Sequence, residues 1–485
     1  MKSRIKKQIA RVIAFLITSL VIVGFIAGVE GMTITTKSDK ARALFKETWI
    51  EAYQTGDMQK VSGMLKQALE LDPDFALANL WYGYMGFGSV ERGKYMAAAF
   101  EKRDKVSEAE KHFIQAYMEL EYSRRDEAIN ELKTAIRLAP GDNLLPLQLA
   151  AVYLNFGMKE QALEYAKQSG KLDPNFAGAI SYEGYILWNM EKYDEAEALY
   201  VKSLAMMPEN PQFLNRYGQL LRTTGRIDEA IKMHRKALSI REEYLPALFL
   251  GHCYVAADNY PAAREAYLKA KDVSTTNVQK SSCLFYVGTT WLYEGNLPQA
   301  LAAFDTQIDF NRQLGGRDEY IIGNTVNKAY SCLLYEDYAD CAKIIDDYKG
   351  YLSTLKLTEA DSLYYNQYKN LLEGYLYAYS GKTEMAEKYL DLYEKSLTEA
   401  EKDTYKQDLF EMRGIIDFQK GKYKEAIVNL EKCTEMGLYY AGLSYEKLGN
   451  IEKAKETYSK IVNNHLTSLN LAATKPFARK RLAQL

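Results

Sequence analysis

Proline is scarce in this chain, with 10 among 485 residues, and that scarcity excludes long proline-rich linkers and extended disordered stretches. Cysteine is scarcer still: Cys253, Cys283, Cys332, Cys341 and Cys433 are the full set. They are odd in number and form no Cys-x-x-Cys pair, and each stands in a helical pattern where a small apolar side chain would serve, so buried thiols are expected. Cys332 and Cys341 fall on the two helices of one expected hairpin and form a pair that could meet. The four histidines, His112, His234, His252 and His465, have neither a His-x-x-x-His spacing nor a cysteine cluster beside them, so no metal is predicted. Charge of either sign is not in excess, with 62 Lys and Arg against 64 Asp and Glu, which removes the electrostatic argument for a nucleic-acid partner.

Catalytic motifs are missing too. No Gly-x-Ser-x-Gly elbow occurs, and carboxylate pairs such as Glu195 and Glu197 belong to solvated helix faces. The stretch GSVERGKY, residues 88–95, fits Gly-x-x-x-x-Gly-Lys. A phosphate loop requires Ser or Thr after the lysine and a buried strand before the first glycine, whereas Tyr95 follows Lys94 and a helical pattern leads in. SGKT at 380–383 has Leu376 where the distal glycine belongs. Neither a cofactor nor an enzyme is expected.

Tyrosine, by contrast, is abundant at 39 residues, which suits helices packed through aromatic side chains. Alanines at 128, 162, 196 and 230 recur every 34 residues, and the first three are each followed twelve residues later by proline, at 140, 174 and 208. A fixed period of this length marks units that cannot bury their apolar faces alone and must stack. Within residues 143–176, Leu147, Ala150, Ala151 and Leu154 make one helical stripe, Gly157 breaks it, and Ala162, Leu163, Tyr165, Ala166 and Ser169 make a second that stops at Asp173-Pro174. That is a helical hairpin, ended by proline because the preceding residue is pushed out of the α region.

Residues 182–208, with Gly184, Tyr193, Ala196, Tyr200 and Pro208, resemble the tetratricopeptide repeat, or TPR. So do Gly218, Gly225, Ala230 and Ala237; Gly251, Tyr254, Tyr260, Ala263, Tyr267 and Ala270; and Gly288, Gly295, Ala300 and Phe304. The resemblance weakens toward both ends and covers about twelve units over residues 41–468. It implies an all-α fold, a right-handed α-solenoid of helical hairpins. The expected organisation is a TPR array of about eight hairpins at 41–312, a joint at the Gly-Gly pair within 313–320, and a second array of about four hairpins at 321–468. Residues 469–485 are expected to form a closing helix, with Thr474 as N-cap, Pro476 in the first turn, and Lys475, Arg479, Lys480 and Arg481 solvating its outer face.

The amino end has its own character. Lys2, Arg4, Lys6, Lys7 and Arg11 precede an uncharged apolar run from Val12 to Val29, near the ~18 to 20 residues that span a bilayer and above the roughly 7 to 15 of a signal-peptide core. Residues 1–30 are therefore expected to be a signal-anchor or transmembrane helix, with 31–40 a linker. The basic flank keeps the amino end inside and puts the body on the exported, periplasmic side of the inner membrane. The alternative is a cleaved signal and a soluble periplasmic protein.

The resemblance also implies a function. First helices of successive TPR hairpins line a channel that commonly holds peptides or partner proteins, and the residues expected to face it are Asn155, Tyr185, Trp188, Asn189, Asn215, Gln219, Arg222, His252, Phe285 and Thr289. Aromatic, amide and guanidinium groups together suit an extended chain. The carboxylate grip of chaperone-binding TPR proteins is not reproduced, since Leu147 and Ala151 stand where polar groups belong. The expectation is a non-catalytic scaffold for protein or peptide partners, with a ligand-responsive signalling adaptor as the alternative.

Overall fold

A computed structural model describes residues 31–54, 57–85, 89–313 and 318–485. The apolar run at 12–29 lies outside the described residues, as do residues 314–317 of the expected joint at 313–320. Among the described residues no helix is long and apolar enough to cross a membrane. Those residues form 26 α-helices, one short 3-10 turn and no strand, the all-α architecture expected.

The chain divides into two compact units, Met1–Glu242 and Glu243–Leu485. The first holds α1 (Asp39–Gln54), α2 (Met58–Leu71), α3 (Ala76–Met85), α4 (Ser89–Lys102), α5 (Glu108–Glu121), α6 (Arg125–Leu138), α7 (Leu144–Asn155), α8 (Lys159–Leu172), α9 (Ala177–Asn189), α10 (Tyr193–Met206), α11 (Pro211–Thr223) and α12 (Ile227–Ile240). The second holds α13 (Tyr244–Ala256), α14 (Tyr260–Asp272), α15 (Asn277–Tyr293), α16 (Leu297–Gln313), α17 (Asp318–Leu334), α18 (Tyr338–Thr354), α19 (Glu359–Tyr379), α20 (Thr383–Ser396), α21 (Glu399–Thr404), α22 (Lys406–Gln419), α23 (Tyr423–Leu430), α24 (Glu435–Lys447), α25 (Ile451–Val462) and α26 (Leu469–Gln484). Apart from α21 and α26, consecutive helices pair as hairpins, and each hairpin packs on the next within its unit. Lys94 lies within α4, the second helix of its hairpin.

Each of ten turns between paired helices places one residue in the left-handed region. Gly157, Gly225, Gly295, Gly381, Gly421 and Gly449 take it at φ 74–80°, while Ser123, Glu191, Asp258 and Glu336 take it with a side chain at φ 56–61°. Inside the hairpins a second glycine class admits a large partner sixteen residues on. A Cβ on Gly218 would lie 2.6 Å from the His234 ring, and one on Gly414 would lie 2.5 Å from Leu430. Gly184 with Tyr200, Gly251 with Tyr267, Gly288 with Phe304 and Gly442 with Tyr458 repeat the arrangement.

Both ends of the described chain depart from expectation. Residues 31–38 are no free linker. Met32 and Ile34 are buried in the core of the first unit while Gly31 and Thr33 stay exposed, the alternation of an extended strap. At the other end α26 begins five residues before Thr474, with Ser468 as its N-cap; Thr474 is buried in mid-helix and bonds the Asn470 carbonyl, and Pro476 lies in the interior. Lys475 does not solvate an outer face either, being 3% exposed with its ammonium on the Asn464 carbonyl. No disulfide joins the five cysteines, all of which are buried.

Candidate functional site

The ten residues expected to line one groove fall into both units, seven in the first and three in the second. In the first unit α7, α9 and α11 are the first helices of successive hairpins. Tyr185 and Trp188, one turn apart on α9, are half-buried and in contact, with ring centroids 5.6 Å apart. Asn189 closes α9; its amide donates to the Tyr185 carbonyl at 2.8 Å, and its own carbonyl accepts from the Lys159 ammonium at 2.5 Å. Asn155 ends α7, half-buried. On α11, Gln219 is half-buried, while Asn215 and Arg222 are buried.

The residue that ties this cluster together is Arg216, which the expected set missed. It is 7% exposed, donates to Ser181 Oγ at 3.1 Å, and lies 5.7 Å from the ring centre of Tyr182 and 5.6 Å from that of Tyr185. A cation over an aromatic face gains when desolvated, as here. The signal was present: Gln148, Tyr182 and Arg216 stand 34 residues apart and are one repeat position. At that position Gln148 accepts from the Tyr117 hydroxyl at 2.8 Å, and Tyr117 packs on Trp81 and Tyr84 at 5.4 and 5.1 Å. The first-helix face therefore carries a ladder of rings that is buried up to Tyr182 and becomes accessible at Tyr185 and Trp188.

In the second unit two of the three expected residues are enclosed as well. His252 is buried, with Nδ1 2.7 Å from the Tyr267 hydroxyl and its ring against Phe249 and Tyr286. Thr289 has no exposed surface and bonds the Tyr286 carbonyl of its own helix. His252 and Thr289 are thus enclosed, as Asn215, Arg216 and Arg222 are in the first unit. Phe285 is half-buried against Tyr286 and Phe304. Among the described residues no group of three or more His, Cys, Asp or Glu is placed to hold a metal ion.

A second arrangement in the first unit was invisible to the motif reading. The strap at 31–38 crosses the amino-terminal ends of α3, α5 and α7, where carboxylates receive it. Met32 N donates to Asp142 at 2.8 Å, Thr35 N and Oγ1 to Glu110 at 2.8 and 2.5 Å, and Thr36 Oγ1 and Lys37 N to Asp72 at 2.5 and 2.9 Å. Glu110 is fully buried and also completes the capping box of Ser107. Burial raises the pKa of Glu110 and of Asp142, and the hydrogen bonds pull each partly back. Three carboxylates thus bind three main-chain amides and two threonine hydroxyls of an extended segment whose Met32 and Ile34 side chains enter the core.

Tetratricopeptide repeat models match residues 177–243 and 438–463. A TPR repeat-containing protein of Methanocaldococcus jannaschii is 26% identical over 332 residues, 66% of this chain and 56% of its own length. The protein O-mannosyl-transferase TMTC3 of Mus musculus is 30% identical over 134 residues, 24% of this chain and 15% of its own. This chain therefore spans less than two thirds of either relative. Among solved structures, YrrB, described as a TPR protein with an unusual peptide-binding site, is 20% identical at a TM-score of 0.29, covering 37% of this chain and 92% of that one. The stacked hairpins, the glycine-to-ring pairing inside them and the two matched segments together make this chain a tetratricopeptide repeat protein.

Proposed function

We propose that the first unit is a non-catalytic scaffold that binds an extended segment of a partner protein, with Tyr185, Trp188 and Arg216 as anchors. The observation that carries this reading is the strap itself: the unit holds one extended stretch of its own chain through Asp72, Glu110 and Asp142. Apart from the strap, α9 and α11 of the same unit offer two accessible rings beside a buried guanidinium, and aromatic and arginine side chains are the residue types that dominate binding energy. The apolar run at 12–29 and its basic flank support a setting at the inner membrane, with the arrays on the exported side. TPR arrays are in general protein-interaction scaffolds, so the reading asks of this chain only the common role.

Peptides selected from a random library against the full chain and measured by calorimetry test it. The Trp188→Ala, Arg216→Ala double variant should weaken them by roughly 2 kcal/mol or more, the scale of a hot spot. Equal affinity for both proteins, with the helical content unchanged, would remove the anchors.

A further inference from the structure

A helix that merely caps an array packs on the last hairpin and keeps one face wet. α26 does more. Residues 471–475 are five consecutive positions and Ala478 follows one turn on, all buried; at 100° per residue, five in a row close the circle, so the first half of this helix is covered on every side. The cover comes from α24 and α25 of the last hairpin, and also from α15 and α17, first helices much earlier in the same unit.

The contacts are those of a recognised ligand. Ala472, Ala473 and Ala478 let backbones approach closely. Phe477 lies between Tyr335 and Tyr439, with ring centroids 5.0 and 6.2 Å away, and the Tyr335 hydroxyl is fixed by a 2.9 Å bond to the Leu292 carbonyl at the end of α15. Arg479 grips both carboxylate oxygens of Asp258 at 2.7 and 2.8 Å and reaches the Tyr260 hydroxyl at 3.3 Å. Arg481 stands 3.6 Å from Glu446.

The tether is slight, and the helix is a poor one alone. Residues 463–468 link it to α25 without helical structure. Pro476 in its interior removes one backbone donor and crowds the preceding turn, so α26 depends on its surroundings to stay folded.

We propose that the inner face of the second unit is a helix-binding site whose resident occupant is α26, and that it accepts in exchange a partner helix of the same chemistry: small residues on one side, then an aromatic and arginines that meet Tyr335, Tyr439, Asp258 and Glu446. This site is independent of the first-unit anchors and stands or falls separately from them.

The test uses the full chain and a fluorescent peptide of residues 468–485. In wild-type protein the site is occupied and the peptide binds weakly. In the Phe477→Ala, Arg479→Glu variant the resident helix is released, and the peptide should bind at least about tenfold more tightly, because apparent affinity scales with the open fraction. Adding Asp258→Asn, which tolerates the left-handed backbone at φ 56°, should remove most of that gain. A folded release variant that binds no better than wild type overturns the proposal, as does affinity indifferent to Asp258→Asn. Should the release variant fail to fold, hydrogen exchange on the wild type decides: amides of 471–483 should open at least about tenfold more often than those of α25, and opening only with global unfolding would make α26 a fixed part of the core.

Discussion

Gly251 sits against the Tyr267 ring, so closely that a Cβ in its place would overlap the ring carbons. The ring is fully buried and its hydroxyl meets His252 Nδ1 at 2.7 Å, so it has no route of retreat. Gly251→Ala should cost about 1 to 3 kcal/mol by overpacking, and Tyr267→Ala about 3 to 5 by leaving a cavity. The double variant should cost less than their sum, because the added methyl then fills vacated space; denaturant unfolding measures the coupling.

Glu191 marks the opposite case, a turn position where glycine is lacking. It holds φ 61° where six other hairpins use glycine. Glu191→Gly should stabilise the first unit by roughly 1 kcal/mol, since the left-handed region strains a residue with a Cβ. A lower melting temperature would show that its side chain contributes more than its backbone costs.

His234 replaces the ring that follows the packing glycine in other hairpins, and burial pushes its pKa down to about 3, with Arg222 adding to the effect. The unfolded chain binds a proton below about 6.5 that the folded one refuses, so stability is lost as pH falls from there. His234→Tyr should relieve this acid sensitivity by on the order of 2 kcal/mol at pH 4, read as the difference between unfolding free energies at pH 4 and pH 7.

In the second unit the sign reverses. Burial raises Asp408 to about 6 and Glu411 to about 8, while hydroxyls of Tyr375 and Tyr393 on Asp408 and of Tyr379 on Glu411 oppose the shift. Between about 4.5 and 8 the folded state keeps a proton on Glu411 that the unfolded state has released, so stability falls as pH rises through that window. Glu411→Gln can keep the Tyr379 bond without a charge, and should raise the melting temperature at pH 9 more than at pH 5. An equal change at both values would deny Glu411 this role.

Much of this was legible because it is local or periodic. The 34-residue alanine interval, the turn glycines and the Asp-Pro stops at 72–73 and 173–174 place hairpins in register. Sequence spacing assigns a residue to a helix face but not to what covers that face, which is why Asn215, Arg222, His252 and Thr289 read as groove residues although each is buried. The strap and the cover of α26, a helix that was itself expected at 469–485, were hidden for another reason. Their partners lie far along the chain, Asp142 at 110 residues from Met32 and Asp258 at 221 from Arg479, and no local pattern carries such a pairing. Arg216 was legible in the 148, 182, 216 series, but polar and aromatic residues alternate there and the series shows only when repeats are stacked by position.

The central claim is that the first-helix face around Tyr185 and Trp188 takes a partner polypeptide. A photo-crosslinking amino acid placed at Trp188 in the full chain, in its native cells, tests it most directly against the same probe at Val201, which is 50% exposed on the second helix of that hairpin. A discrete polypeptide adduct is expected from position 188 and none from 201. The same adducts from both positions, or none from 188 while 201 is productive, would contradict it.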